Sequence, residues 1–348
     1  MKRLPVITHS LYAELLDQYR ADPPPAGLWP LSGTLVRVPV DGRDHWYFQK
    51  SRRTSPGGRQ QREYLGPADD PELSRKVQAF QEAKAAYANR VQLVSTLKAS
   101  GVTAPSGKFA NILLGLHEAG VLARAVLAGT AAFQAYGPML GAKFGQAAFH
   151  TMDIDLTEAE KTLALAVSLD ALPAPLLDTL QGFDPGFREV PGLHPRTPPV
   201  SYVNKDRLRV DVLMPHAGPE RGPVPAPALH SHGAPLRFLD FLVTEPVEAV
   251  LLVGGGALTH VPSPARFALH KLVVSQRRNA AEAAKARKDL LQAGLLLELL
   301  LEDDPGALRA AWEDLRQRGP KGRTLCEAGL RALQDESVRK EAKSLLTP

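Results

Sequence analysis

One stretch restricts the possible folds of this chain more than any other: Val126 to Leu156, V-L-A-G-T-A-A-F-Q-A-Y-G-P-M-L-G-A-K-F-G-Q-A-A-F-H-T-M-D-I-D-L. It reads as the end of an apolar strand (Leu122 to Ala128), a Gly129-Thr130 corner, a helix, and a second strand ending in Asp153-Ile154-Asp155. Successive side chains on a strand alternate faces, so Asp153 and Asp155 point the same way and Ile154 the other. Two carboxylates aimed at one spot repel unless a cation lies between them. Hard divalent ions, Mg²⁺ or Mn²⁺, take such oxygen ligands. A pair of small residues opening a helix leaves backbone N–H groups free for a phosphate. A phosphate seat beside a metal seat suggests a nucleotide with its ion. Taken singly, each feature is weak, since Asp-x-Asp is common on solvated surface strands; the order of the features gives them weight.

That order, strand, Gly-Thr, helix, Asp-x-Asp strand, resembles the nucleotidyltransferase fold of the DNA polymerase β type. Thr130 stands where serine is commoner and keeps the hydroxyl. The chain is similar to a bacterial family of nucleotidyltransferase-like proteins and, more distantly, to the AbiEii and MenA toxins of toxin–antitoxin pairs. The resemblance covers about residues 105 to 300. It implies an α+β chain: a minimal nucleotidyltransferase fold (a mixed sheet with flanking helices) plus an N-terminal β-meander and a C-terminal helical region. It implies metal ligation by Asp153 and Asp155 and a third carboxylate on a later strand. Asp211, in L-R-V-D-V-L, is the choice for it; a carboxylate between apolar neighbours on a central strand is costly to bury without a partner. The alternative is an edge-strand Asp facing water. Gly129 and Thr130 would seat the β and γ phosphates. In R-F-A-L-H-K-L and K-A-R-K-D-L-L-Q-A, the resemblance gives Lys271 the neutralisation of the triphosphate. Asp289 would orient that lysine or a substrate hydroxyl, with Lys288 a weaker candidate. From residue types alone these are ordinary basic helices.

Elsewhere the pattern is plainer. Ser10 to Arg20 reads as a short helix. Gly33 to Val40, His45 to Lys50 and Gln60 to Leu65 read as a meander with Asp41-Gly42 as its hairpin turn. Arg52, Arg53, Arg59 and Arg62 lie among Trp46, Tyr47, Phe48 and Tyr64 and are candidate RNA contacts. The competing reading, slightly ahead, makes the aromatics the meander's own core. Pro71 to Ser100 is a long helix with an apolar stripe through Val77, Phe80, Ala83, Tyr87, Val91, Val94 and Leu97, and with Arg90 among its outward charges. Ser106 to Ala119 is another, stopped by Gly120. Thr157 and Glu160 form a capping box for a helix after Asp155. Strands are expected at Phe187–Val190, Ser201–Val203, Leu208–Leu213, Phe238–Val243, Val247–Val253 and Ala257–Val261. Pro215 to Pro235 reads as a loop carrying His230 and His232, and Gly254-Gly255-Gly256 as a hairpin turn rather than a phosphate loop. Asp304 to Leu346 should form two or more amphipathic helices. The expected division is 1–70 (meander), 71–104 (linking helix), 105–260 (nucleotidyltransferase core) and 261–348 (helical region).

Composition narrows the function. A single cysteine, Cys326, excludes an intrachain disulfide and a cysteine-based zinc cluster, and fits a reducing cytoplasm. No apolar run is long enough to span a bilayer, and Met1-Lys2-Arg3-Leu4-Pro5 lacks a signal peptide's apolar region. The net charge of +5 permits a nucleic-acid partner without demanding one. The expectation is a cytoplasmic, Mg²⁺- or Mn²⁺-dependent enzyme moving an NMP from an NTP to an acceptor hydroxyl. The acceptor hydroxyl could belong to a tRNA end, a protein side chain or a small molecule. The basic chain and its Arg/aromatic ribbon tilt the choice toward tRNA or another RNA, and a toxin-like role would bring a cognate antitoxin or other partner protein. The alternative is a catalytically silent protein of the same fold that binds RNA or a protein partner.

Overall fold

The computed structural model describes residues 1–23, 28–50, 61–149, 151–158, 170–192, 194–216 and 222–346. Its N-terminal part holds a short strand β1 (Lys2–Arg3), helix α1 (Val6–Ala21) and the antiparallel strands β2 (Thr34–Val40), β3 (Arg43–Gln49) and β4 (Arg62–Pro67). Asp41 and Gly42 both take left-handed φ, 50° and 78°. A two-residue hairpin turn that follows the strand twist needs this, and Asp-Gly supplies it at little steric cost.

Helix α2 (Pro71–Ala99) starts where the Asp70 side chain accepts hydrogen bonds from the Glu72 and Leu73 amides. Most of its expected stripe is buried, with two departures. Val91 is exposed and Arg90 is only 2% exposed. The helix is too long for one neighbour. Phe80 packs with Phe48 of the meander, whereas Val94 and Leu97 pack with Tyr12, Leu15 and Tyr19 of α1. The buried face therefore shifts along the helix, and the Arg90 guanidinium settles 4.7 Å over the Tyr19 ring.

The main sheet is assembled next. Its elements are α3 (Gly107–Glu118), α4 (Val121–Arg124), β5 (Ala125–Ala128), α5 (Gly129–Met139), β6 (Ala142–Lys143), β7 (Asp153–Glu158), α6 (Leu176–Gln181), β8 (Arg188–Glu189), β9 (Ser201–Val203), β10 (Arg209–Pro215), β11 (Val224–Ala226), β12 (Ser231–Leu236), α7 (Leu239–Val243), β13 (Val247–Leu251) and β14 (Ala257–Val261). Among the described residues the sheet has nine strands in the order β11-β12-β10-β7-β5-β14-β13, with β9 on the N-terminal half of β10 and β8 on β9. Strands β10 and β7, β12 and β10, and β14 and β5 run parallel; the other pairs are antiparallel.

Four expectations need correction. Leu122 lies in a helical turn closed by Arg124, which donates to Gly120 O (2.9 Å) and Asp170 O (2.7 Å); only Ala125–Ala128 is strand. The acidic strand begins at Asp153 instead of ending at Asp155. It runs on to Glu158, so Thr157 is a buried strand residue paired with Val126 and Leu213 and opens no helix. Glu160 lies outside the described residues. The stretch read as a loop contains β11 and β12, because the far half of β10 offers an unpaired edge and a sheet edge tolerates proline. Phe238–Val243 is not a strand. Phe238 takes φ 66° and leads into helix α7, whose Leu239, Phe241, Leu242 and Val243 are all buried. An apolar run this short, with a single polar residue, Asp240, in it, has too little periodicity to separate helix from strand.

The C-terminal region comprises α8 (Pro264–Ser275), a single 3₁₀ turn (Ala280–Glu282), α9 (Ala283–Asp303), α10 (Pro305–Gln317), α11 (Pro320–Arg331) and α12 (Glu336–Leu346). Helix α8 is buried nearly all round. One apolar cluster runs continuously from α3 through the sheet into α12, and Cys326 lies within it. The architecture is thus α+β, a mixed sheet with flanking helices, extended by a β-meander and a helical region. Among the described residues no helix is long and apolar enough to cross a membrane.

Candidate functional site

The registers of three adjacent strands build the site. On one side of β7, Asp155 faces Ala128, the last residue of β5; on the other side it faces Asp211 of β10. Asp153 faces Arg209. Ile154, Val210 and Val212 are fully buried on the opposite side of the sheet. Strand alternation therefore gathers Asp153, Asp155, Arg209 and Asp211 on one face as a square of three negative charges and one positive. Arg209 Nη2 donates to Asp211 Oδ1 and to Ser201 Oγ, each at 3.2 Å.

Gly129, where β5 becomes α5, is required twice over. Its φ is +58°, and a Cβ there would overlap Asp155 Oδ2. The acid's carboxylate therefore lies against the open start of α5, which has no side-chain cap. Thr130 is 5% exposed, and its hydroxyl accepts a long hydrogen bond, 3.4 Å, from Gln292 Nε2, which also donates to Ala148 O at 2.7 Å. The Gly129 backbone thus borders the site, while the Thr130 hydroxyl is directed into the core.

Across a cleft of about 340 Å³ stands a basic wall from α8 and the turn after it. Gly129 and Asp155 line one side; His270, Lys271, Arg277 and Arg278 line the other, and leucines from β10, β12 and α7 close one end. Lys271 Nζ donates to Asp289 Oδ1 at 2.7 Å, and Arg278 Nε donates to Asp289 Oδ2 at 3.2 Å. Asp289 is only 1% exposed.

The two acidic centres are electrically unlike. Burial, reinforced by Asp211 and Asp153 and offset in part by Lys271 and Lys285, pushes the Asp155 carboxyl up to about 6. Burial opposes ionisation of Asp289 as well, but Lys271 and Arg278 outweigh it and hold that carboxyl below the ordinary range. Burial, with Lys271 beside it, pushes the His270 imidazole down to about 3, so the ring is neutral at ordinary pH. Burial and Lys271 also lower the Lys288 ammonium, against the pull of Asp289, Asp153 and Asp155.

Among the described residues, no three His, Cys, Asp or Glu side chains are already drawn into a ligand set, since Asp211 turns to Arg209. The donor chemistry nonetheless fits a hard divalent ion: three carboxylates on one face, with the negative charge around Asp155 only partly offset by lysines. The structure brings together Gly129, Asp153, Asp155 and Asp211, and separately joins Lys271 to Asp289 at the same cleft. His230 and His232 do not line the cleft. Arg62 is exposed on the meander and donates to Gln49 (3.1 Å), while Arg52, Arg53 and Arg59 lie outside the described residues. Sequence reasoning assigned no part to Arg209, Arg278, His270 or Gln292. Arg209 was detectable, two residues before Asp211 and therefore on its face; nothing in the sequence points to Gln292.

Neither a curated protein nor a solved structure matches the chain. A family described as nucleotidyltransferase matches residues 108–317, a span that takes in the carboxylate strands, the glycine-opened helix and the two helices that carry Lys271 and Asp289. That is well over half of the sequence, and the chain belongs to this nucleotidyltransferase family.

Proposed function

We propose that the protein moves an NMP from an NTP to an acceptor hydroxyl at the cleft between β7 and α8, with a divalent metal as cofactor. The observation that carries this reading is the register of Asp211 with Asp155 on one face, beside Gly129. Asp153, Asp155 and Asp211 would hold Mg²⁺ or Mn²⁺; such ions, when bound, lower the pKa of the attacking hydroxyl and neutralise charge on the entering and leaving oxygens. The Gly129 backbone, at an uncapped helix start, receives a phosphate. Lys271, fixed by Asp289, and Arg278 set positive charge along the triphosphate. His270, neutral and buried, adds wall without adding charge. The acceptor we favour is tRNA or another RNA, in a toxin-like role akin to that of the AbiEii and MenA proteins.

A second reading has one observation in its favour. Arg209 already satisfies Asp211, as expected of a fold that has given up transfer and keeps only the binding of RNA or of a partner protein such as an antitoxin. Incubating purified protein with each α-labelled NTP, Mg²⁺ or Mn²⁺, and total tRNA separates the two. Label entering RNA, abolished in Asp153→Asn, supports transfer. Equal labelling by Asp153→Asn removes the metal assignment, and retained RNA without label under every NTP establishes the silent binder.

A further inference from the structure

The β-meander has two unlike faces. On one, Phe48 is 1% exposed and packs with Phe80 of α2, ringed by Leu31, Leu35, Leu65 and Trp29. The strand registers place Val36 and Val38 of β2, His45 and Tyr47 of β3, and Tyr64 of β4 on the other face. None of these belongs to a buried cluster, and Tyr64 is 55% exposed. The rings are held in place: Tyr47 and Tyr64 meet edge-on at 5.4 Å, and Tyr64 Oη lies 3.1 Å from His45 Nδ1. Arg43 and Arg62 flank them on this same face. The two acids of these strands, Asp44 and Glu63, fall on the opposite face, where Asp44 pairs with Arg37 at 2.8 Å.

Fixed rings, Tyr64 exposed and Tyr47 and His45 half-buried beside it, flanked by arginines and with no carboxylate on their side of the strands, match a partner that is planar, stackable and anionic. We infer that this outer face binds single-stranded RNA, its bases stacking on Tyr47 and Tyr64 and its phosphates meeting Arg43 and Arg62. The inference deepens the acceptor class of the reading above and rests on it for its purpose. Binding is measured without NTP or metal, so the two can fail separately. The probe is a fluorescent single-stranded oligoribonucleotide followed by anisotropy, with the duplex of the same sequence as a control. The single strand should bind more tightly than the duplex. Tyr64→Ala and Tyr47→Ala should each weaken it by about tenfold, with Tyr64→Phe close to wild type. Arg62→Gln should reduce the salt dependence of binding. Tyr64 is exposed, so its variants keep the fold even if Tyr47→Ala does not. No binding by wild type, undiminished binding by Tyr64→Ala, or preference for the duplex would overturn the inference. So would a concentration-dependent dimer abolished by Tyr64→Arg, which assigns the face to a second copy.

Discussion

Asp155 and Asp289 are the same residue type, one lining the cleft and one buried behind the cations that face it, and the protein treats them in opposite ways. Burial and the neighbouring carboxylates, offset only in part by Lys271 and Lys285, push the Asp155 carboxyl up to about 6. Asp289 sits between Lys271 and Arg278, and its carboxyl is pulled down. The first arrangement costs stability in the free protein, a cost that the proposed divalent cation would relieve. The second is satisfied at once, and its remaining effect is to fix a lysine at the cleft. A strained acid and a contented one side by side separate the chemistry of the site from its scaffolding.

The largest expected effect would sharpen that contrast. Asp155→Asn should lower nucleotidyl transfer on the order of 10³-fold, several kcal/mol of transition-state stabilisation, while thermal stability stays equal or rises because a repulsion is gone. A variant that loses stability and keeps activity would break the comparison. Asp289→Ala should do the reverse in the folding assay. Stranding Lys271 beside the apolar core should cost about 3 kcal/mol or more in urea unfolding; an unchanged midpoint would show the ion pair to be idle.

Next comes pH, measured on metal-free protein. Because the folded-state pKa of Asp155 is raised, the native state binds the extra proton between about 4 and about 6. Stability from this residue therefore falls as pH rises through that window. Asp289 has the opposite sign, its contribution being present above the ordinary carboxylate range and lost as pH falls. His270, down to about 3, and His117, pushed by burial to about 4, add further loss on acidification, since the unfolded chain takes up their protons first. The difference between wild-type and Asp155→Asn unfolding curves across pH isolates the Asp155 slope, and Mg²⁺ should flatten it. The smallest effect concerns Arg209, whose ion pair with Asp211 is partly exposed. Arg209→Gln should tighten Mn²⁺ binding about threefold in calorimetry, the scale of a solvent-screened charge pair; weaker binding would make Arg209 an ally of the site instead of a competitor.

How much of this was legible depended on whether the signal was local. The Asp-Gly hairpin, the proline-started α2 and the glycine-opened α5 are set by φ preferences and missing N–H groups within a few residues, and they could be read directly. Asp153 and Asp155 shared a face by alternation alone. The reading failed where partners were remote. Arg90 was assigned to solvent because its stacking ring lies on α1. The proline-rich segment was taken for a loop because the edge that pairs with β12 belongs to β10. Phe238–Val243 was taken for a strand because a short, mostly buried run carries too little periodicity to mark it as a helix.

By itself, then, the sequence determined which acids could act together along one strand, where a glycine had to open a helix, and which residues could carry positive charge. The tertiary structure decided that Asp211 stands beside Asp155, that Arg209 holds Asp211, and that Asp289 is spent on Lys271 and Arg278. The physical reason is distance. Alternation and turn geometry act over a few bonds, whereas strand register and the pairing of buried charges are settled only when segments far apart in the chain are packed against one another.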